Sequence, residues 1–317
     1  MIPSALRRFG FLTLPNYSMI ACANAIEPLR MANRLTGRAD YGWTMLTLDG
    51  APAAASNGLS LGPTLALEAA GPMDAVLVCG GVDVRLSVGR PVKTALRRLA
   101  RQGVALGALC TGSFALAEAG LLKGYRCAIH WENLQAIHEE FPEIDFTQDL
   151  YAIDRDRLTC TGGVAPLDMM LNLIGGGLGR EVADQVSMQF IVDRTRAGEE
   201  RQPSLAKSHS VVGHPALEKA VRLMEERIEF PLSAAEVATH AGVSARQLER
   251  LFRQRLGHSP SAFALTLRLD RARALLRQTA MPITDIALAC GFTSPTHFST
   301  AYRRRFDRPP RAERAAG

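Results

Sequence analysis

The sequence has six cysteines but lacks the patterns that mark metal sites and disulfide frameworks. There is no CxxC pair and no histidine at metal-ligand spacing, so we expect neither a metal site nor a cofactor. The cysteines lie mostly in apolar runs, which is typical of reduced thiols inside the cell. They are Cys22, Cys79, Cys110, Cys127, Cys160 and Cys290.

The sequence also lacks an uninterrupted apolar stretch of membrane-spanning length, so we expect no membrane association. Arg7 and Arg8 precede an apolar run and could mimic a twin-arginine export signal, but Pro15 and Asn16 interrupt that run before Glu27 ends it. A first strand and helix explain this segment better. We therefore expect a cytoplasmic protein.

Charge is divided unevenly along the 317 residues. Residues 207–317 carry 18 Lys and Arg against 10 Asp and Glu, a net charge of +8, whereas residues 1–206 carry 19 against 21, a net charge of −2. The basic part is expected to meet a polyanion. The length allows two domains, which we place at 1–195 and 215–317, with a linker of mixed charges, proline and serine at 196–214.

Apolar strands alternate with amphipathic helices in the first domain. Strands are expected at 9–14, 43–48, 74–79 and 157–160, a hairpin at 56–63, and a helix stop and restart in the glycine-rich stretch 175–179. The alternation predicts a flavodoxin-like α/β domain, with a mostly parallel sheet and helices on both faces.

A strand runs directly into Cys110, Thr111 and Gly112, and a helix begins at once. Such a turn resembles a nucleophile elbow, where the helix dipole favours a thiolate or a bound anion. His130 and Trp131 stand at another strand-to-helix junction. These turns should share the carboxyl edge of the sheet, where open α/β folds bind ligands.

These residues allow several interpretations. A cysteine hydrolase or amidase would use Cys110 as the nucleophile and His130 as its base. A sensor would offer the Trp131 ring to a cation, with Glu132 or Asp83 neutralising an ammonium or guanidinium group. In a sensor, the amides of Thr111 and Gly112 could also hold a carboxylate. The remaining alternative is an inert dimerisation domain in which Cys110 and Trp131 only pack.

The second domain repeats one pattern. Residues 232–260 align with 283–310 at an offset of 49, which becomes 50 after Thr293. Each copy has a short helix, a turn at Gly242 or Gly291, and a second helix after Ser244 or Ser294, as in a helix-turn-helix motif. This predicts an all-α domain with two such motifs.

The second helix of each motif is expected to bury one face and to leave the opposite face free for a binding partner. In copy one this face carries Arg246, Gln247, Glu249, Arg250 and Arg253. In copy two it carries Pro295, Thr296, Ser299, Thr300, Arg303 and Arg304. Arginine can donate to guanine and glutamate can accept from cytosine. The side chains of copy two are shorter, so this copy is expected to read fewer bases and to contribute more to positioning the protein on DNA. Arg303, Arg304 and Arg305 are expected to contact phosphates.

The quoted segments resemble two known families. LSAAEVATHAGVSARQLERLF and ITDIALACGF resemble the AraC/XylS-type DNA-binding domain, and DAVLVCGG and ALGALCTGSFALAEAGLL resemble the PfpI-like, class I glutamine amidotransferase-like domain. Together they resemble the GlxA subfamily of AraC-type regulators, especially the members that sense arginine, glycine betaine or carnitine.

The resemblance implies a transcriptional activator that binds double-stranded DNA and a small-molecule inducer. It further implies a homodimer formed through the first domain, and contact with RNA polymerase. Both recognition helices would enter successive major grooves, joined by a helix over about 260–278. At about 1.5 Å per residue that helix is roughly 28 Å long, which suits sites about one duplex turn apart. By position in the family's motif, Arg246, Glu249 and Arg250 would read bases.

One departure from the family bears on catalysis. PfpI-like enzymes carry an acidic residue on the first helix, where this chain has Met19, Ile20 and Ala21. We therefore expect a regulator and not an enzyme.

Overall fold

A computed structural model describes residues 6–202, 211, 213–279 and 281–315 of the chain. The chain divides into two compact units, Met1–Gln202 and Pro203–Gly317. The first is an α/β unit and the second is helical, as the sequence predicted.

The first unit contains two sheets. The strands are β1 (Arg8–Thr13), β2 (Gly42–Thr47), β3 (Thr64–Ala66), β4 (Ala75–Cys79), β5 (Ala105–Leu109), β6 (Arg126–Ala128), β7 (Asp145–Thr147), β8 (Tyr151–Asp154) and β9 (Arg157–Cys160). The main sheet has seven strands in the order β3-β2-β1-β4-β5-β9-β8, and β6 pairs with β7 separately. Only the edge pair β8 and β9 is antiparallel among the pairings described.

Helices cover both faces of the main sheet. They are α1 (Met19–Thr36), α2 (Val84–Ser87), α3 (Arg90–Arg101), α4 (Gly112–Glu118), α5 (Trp131–Glu140), α6 (Ala165–Leu178) and α7 (Arg180–Gln189). Alternate strand residues point to opposite cores. Phe11 lies in the core under α1, α6 and α7, whereas Leu12 lies in the core under α3, α4 and α5. The expected layered architecture is confirmed.

One local prediction needs correction and another is confirmed. The hairpin expected at 56–63 is reduced to one antiparallel bridge, between Ala54 and Ser60, and β3 then pairs parallel with β2. The helix stop and restart expected in 175–179 is confirmed: α6 continues through the glycines at 175–177 and stops at Gly179, whose φ is +98°, and α7 begins at Arg180. Packing of α6 against its neighbours outweighs the low helix propensity of those glycines.

The second unit consists of helices α8 (Pro215–Glu226), α9 (Ala234–Ala241), α10 (Ala245–Leu256), α11 (Pro260–Gln278), α12 (Ile283–Ala289), α13 (Pro295–Phe306) and α14 (Pro310–Ala315). Helices α9 and α10 form the first helix-turn-helix motif, and α12 and α13 form the second. Gly242 and Gly291 have φ of +75° and +73°, so both turns use the left-handed conformation that favours glycine. The connecting helix α11 spans the 19 residues that the sequence indicated.

The first unit extends further than the sequence indicated. Residues 196–202 were expected to begin the linker. They pack on this unit through an Arg196–Asp168 ion pair and an antiparallel backbone β-bridge between Arg201 and Asp149. A polar, turn-rich composition does not distinguish a linker from an anchored surface segment. The linker residues 203–210 and 212 lie outside the described part of the chain.

Within the residues described, no helix is both long enough and apolar enough to cross a membrane.

Candidate functional site

The carboxyl ends of β4, β5 and β9 meet at one edge of the main sheet. The Cys110 amide donates to the Cys160 carbonyl over 3.0 Å, and the Gly80 amide donates to the Leu109 carbonyl over 3.2 Å. The Thr111 hydroxyl donates to the Gly81 carbonyl over 2.7 Å. The turns after these three strands are therefore fixed against one another, as the sequence indicated. His130 and Trp131, expected at the same edge, instead follow β6 of the separate two-stranded sheet.

Cys110 occupies the elbow between β5 and α4 with a φ of +60°, which a residue with a side chain rarely adopts. Neighbouring glycines make room for it. A Cβ on Gly162 would lie 2.8 Å from the Cys110 Cβ, and a Cβ on Gly80 would clash with the Gly112 nitrogen. The elbow is held by close backbone packing that side chains would prevent.

The environment of Cys110 favours a neutral thiol. Burial raises its pKa to about 11, the Glu132 charge acts in the same direction, and a hydrogen bond from the Thr111 amide only partly opposes them. Its side chain is 9% exposed. A thiolate nucleophile needs the opposite electrostatic setting.

His130 occupies the N-cap position of α5, without a side-chain capping hydrogen bond, and lies close to Glu132. Burial lowers the pKa of His130, although Glu132 opposes this shift from 3.7 Å away, so the imidazole is neutral near pH 7. Among the described residues, no hydrogen bond joins His130 to Cys110. The nucleophile–base contact that catalysis would use is therefore not formed in this structure.

The other proposed ligand residues differ in accessibility. Trp131 is 54% exposed, and its ring lies 5.6 Å from that of His130, so it is not a core tryptophan. Glu132 and Asp83 are exposed as well. Thr111 and Gly112 are buried, and Gly80 packs directly on the Gly112 amide. A carboxylate would reach these two amides only if the turn at Gly80 moved.

A residue that the sequence assigned to the linker contacts this edge. Gln202 is 5% exposed, and its Nε2 donates to the Ile129 carbonyl over 3.0 Å, immediately before His130 and Trp131. Its Oε1 has no hydrogen-bond donor among the described residues. No sequence signal identified Gln202, because a glutamine in a polar segment resembles a solvated surface residue.

A separate cleft of about 400 Å³ lies between α1, the start of α6 and the segment after α7. Its charged side chains already pair within the protein: Glu27 with Arg30, Asp168 with Arg196, and Arg194 with Glu200. The cleft therefore presents no uncompensated charge that would define a ligand. The sequence did not indicate it.

The first recognition helix is α10. Its outer face exposes Arg246, Gln247, Arg250 and Arg253, with Glu249 partly exposed. Three of these side chains have local partners: the Gln247 side chain accepts from the Ser244 amide as part of a capping box, and Glu249 pairs with Arg253 over 2.7 Å. Arg246 and Arg250 are exposed as well, and no ion pair is described for either of them.

The second recognition helix is α13. All six side chains expected on its outer face are exposed: Pro295, Thr296, Ser299, Thr300, Arg303 and Arg304. Arg305, expected on a phosphate, instead pairs with Asp270 of α11 over 2.9 Å. It follows Arg304 by one position, which turns it about 100° around the helix towards α11.

The two units together define a DNA-binding protein whose α/β domain brings several strand ends together at one edge of its sheet. Comparison with known proteins gives the same division. A model of the DJ-1/PfpI family matches residues 20–175, and a model of a helix-turn-helix domain matches residues 237–316.

Relatives match nearly the whole chain. The HTH-type transcriptional regulator GbdR of Pseudomonas aeruginosa is 49% identical over 305 residues, covering 96% of this chain and 83% of that protein. The regulator CdhR of the same species is 44% identical, covering 97% and 91%. The chain belongs to the GlxA subfamily of AraC-type transcriptional regulators.

A solved structure supports the fold of the first unit. The crystal structure of an AraC family transcriptional regulator from Pseudomonas putida has a TM-score of 0.53 and 31% identity, covering 58% of this chain and 99% of that one. This protein is accordingly a DNA-binding transcriptional regulator.

Proposed function

We propose that this regulator is an activator controlled by a small amine or amino-acid-derived metabolite: arginine, or a quaternary amine such as glycine betaine or carnitine. The metabolite would bind at the sheet edge formed by Asp83, Cys110, Thr111, Gly112, His130, Trp131 and Glu132. The observation that carries this proposal is the exposed Trp131 ring beside the Glu132 carboxylate, because together they suit a cation with an apolar surface.

The alternative is a cysteine hydrolase or amidase fused to a DNA-binding domain. Three observations favour the sensor. The Cys110 pKa is raised by burial, the His130 contact is not formed, and residues 19–21 at the start of α1 offer no carboxylate. A ligand that binds without reacting can bias two states of a regulator.

Arg246, Glu249 and Arg250 on α10 would read bases. Gln247 would stabilise the start of this helix, and Arg253 would hold the Glu249 side chain. On α13, Arg303 and Arg304 would grip phosphates, and Pro295, Thr296, Ser299 and Thr300 would fix the register. Because the target is chromosomal DNA, the regulator would act in the cytoplasm, in contact with RNA polymerase.

We further place a homodimer contact on the first unit, with a second copy of the chain as its partner. Exposed apolar side chains on helices α1 and α7 and next to helices α6 and α7 support this: Ile20, Val164, Met188 and Ile191. Large exposed apolar side chains near one another mark interaction surfaces. Light scattering of the purified protein checks the dimer, and Ile20→Glu with Met188→Glu should yield a monomer.

The effector site is tested by thermal unfolding of the full-length protein with arginine, glycine betaine and carnitine. A ligand that binds the native state raises the apparent stability, and Trp131→Ala should abolish that shift. Trp43→Ala is the matched control, because Trp43 is the other tryptophan and is 36% exposed on β2. An equal shift in Trp131→Ala and the wild type would contradict the proposed site.

A further inference from the structure

In the two helix-turn-helix copies, different side chains lie at the contact between the second helix of the motif and the helix that follows it. In copy one, Phe252 of α10 meets Phe263 of α11, with ring centroids 5.4 Å apart and planes at 72°. At the offset of 50, the equivalent residues of copy two are Tyr302 of α13 and Glu313 of α14. An aromatic pair in the first copy is therefore a phenol and a carboxylate in the second.

Glu313 is buried among arginines. Its side chain is 0% exposed, and its Oε1 accepts from Arg277 Nε over 2.6 Å and from Arg273 Nε over 3.1 Å, both on α11. Arg308 Nε lies 3.8 Å from its Oε2. Burial alone would raise the pKa of Glu313, but the hydrogen bonds and charges of Arg273 and Arg277 hold it below its usual range. The carboxylate is therefore charged at neutral pH.

The Tyr302 hydroxyl is the other polar group in this cluster. Burial raises the pKa of Tyr302, and the charge of Glu313 and a side-chain hydrogen bond with it raise that pKa further. Tyr302 Oη and Glu313 Oε2 are both buried. A protonated phenol beside a carboxylate oxygen is electrostatically favourable, and water cannot replace that contact at a buried position.

These contacts join three helices. Glu313 lies on α14, its arginine partners Arg273 and Arg277 lie on α11, and Tyr302 lies on α13. Arg273 also lies over the Phe306 ring of α13, 4.6 Å from its centroid. One buried carboxylate thus contributes to the orientation of α13 relative to the connecting helix, in addition to the Arg305–Asp270 ion pair between α13 and α11.

We propose that Glu313 is a positioning residue for DNA recognition, which orients the second recognition helix on the connecting helix through an ionic contact where the first copy uses an aromatic pair. The two recognition helices must match two successive grooves, so a rotation of α13 alone weakens one of the two DNA contacts. The first copy would be insensitive to loss of this carboxylate.

Hydroxyl-radical footprinting of the full-length protein tests this, on a duplex that the wild-type protein selects from a random library. The wild type should protect two segments about one helical turn apart. Glu313→Gln should weaken protection of one segment by about tenfold or more, because the neutral amide no longer holds α14 to Arg273 and Arg277 of α11, and should keep the other. Equal protection of both segments by Glu313→Gln would overturn the proposal.

A rescue separates positioning from general loss of folding. The double variant Tyr302→Phe with Glu313→Phe installs the aromatic pair of copy one, and it should restore protection of both segments. The exposed carboxylate variant Asp285→Asn removes the same charge from copy two and should protect both segments as the wild type does. A double variant no better than Glu313→Gln would contradict the proposal.

Hydrogen exchange on the DNA-free protein gives a second readout that does not depend on the selected duplex. Glu313→Gln should speed exchange in α13 and α14 and leave α10 unchanged, and the double variant should reverse this. Equal acceleration in α10 and α13 would show a loss of folding throughout the unit and would also count against positioning by Glu313.

Discussion

The side-chain amide of Gln202 donates to the Ile129 carbonyl over 3.0 Å, and this bond ties the last residue of the first unit to the peptide before His130 and Trp131. The next residue in the chain, Pro203, begins the unit that binds DNA. A ligand that shifts the start of α5 at Trp131 would therefore also shift Gln202.

Gln202→Met should separate ligand binding from the response. Methionine keeps the length of the side chain but cannot donate to Ile129, so effector affinity should stay nearly unchanged while the effector no longer alters DNA binding. Calorimetry measures the effector affinity, and fluorescence anisotropy on a labelled duplex measures DNA binding with and without the effector.

The matched control is Arg194→Gln, which breaks an exposed ion pair with Glu200 on the same segment. Arg194→Gln should keep the wild-type effector affinity and the wild-type effect of the effector on DNA binding. A wild-type response in Gln202→Met would rule out this bond as the connection.

Cys110 should alkylate slowly. At pH 8 an ordinary thiol is about one quarter thiolate, whereas a pKa of about 11 leaves ~0.1%. The rate of iodoacetamide labelling, followed by mass spectrometry of the Cys110 peptide, should still rise with pH above 9. A plateau below pH 8 would indicate a reactive thiolate and favour the enzyme.

Gly162→Ala should destabilise the elbow more than Gly163→Ala. Both glycines have positive φ, but only at Gly162 would a Cβ meet the Cys110 Cβ, whereas nothing lies within 4 Å at Gly163. We expect losses of about 2–3 kcal/mol and about 1 kcal/mol in the free energy of unfolding. Denaturant unfolding of both variants measures the difference, and equal losses would show that the elbow tolerates the added methyl group.

Arg250→Ala and Arg304→Ala should weaken DNA binding in different ways. Loss of a base contact by Arg250 should cost about 1–3 kcal/mol and relax specificity at one position. Loss of a phosphate contact by Arg304 should weaken all sequences alike and lower the salt slope by about 1. Binding to a panel of single-base variants at several salt concentrations distinguishes the two, and a position-specific effect of Arg304→Ala would contradict this assignment.

Patterns with a strong local cause were predictable from the sequence. The repeat located both helix-turn-helix motifs, and the resemblance to the AraC-type domain indicated the full extent of α11. The apolar runs before Gly80 and Cys110 located strands β4 and β5 to within a residue or two.

Features that depend on distant contacts were not predictable. Strand β8 is four residues long and is defined by its antiparallel pairing with β9. Gln202 and Glu313 are polar residues in polar segments, so no pattern in the sequence indicated that tertiary packing buries them. The side chains of Arg305 and Gln247 were placed on the correct helices, but their partners within the protein were not foreseen.

The most direct test of the regulatory account is effector-dependent transcription from a bound promoter, measured for the wild type, Cys110→Ala and Trp131→Ala with arginine, glycine betaine and carnitine. The account predicts that Cys110→Ala stays inducible by the wild-type effector, whereas Trp131→Ala loses most of its response. Loss of all regulation in Cys110→Ala, together with amidase or glyoxalase-like turnover by the wild type, would contradict it.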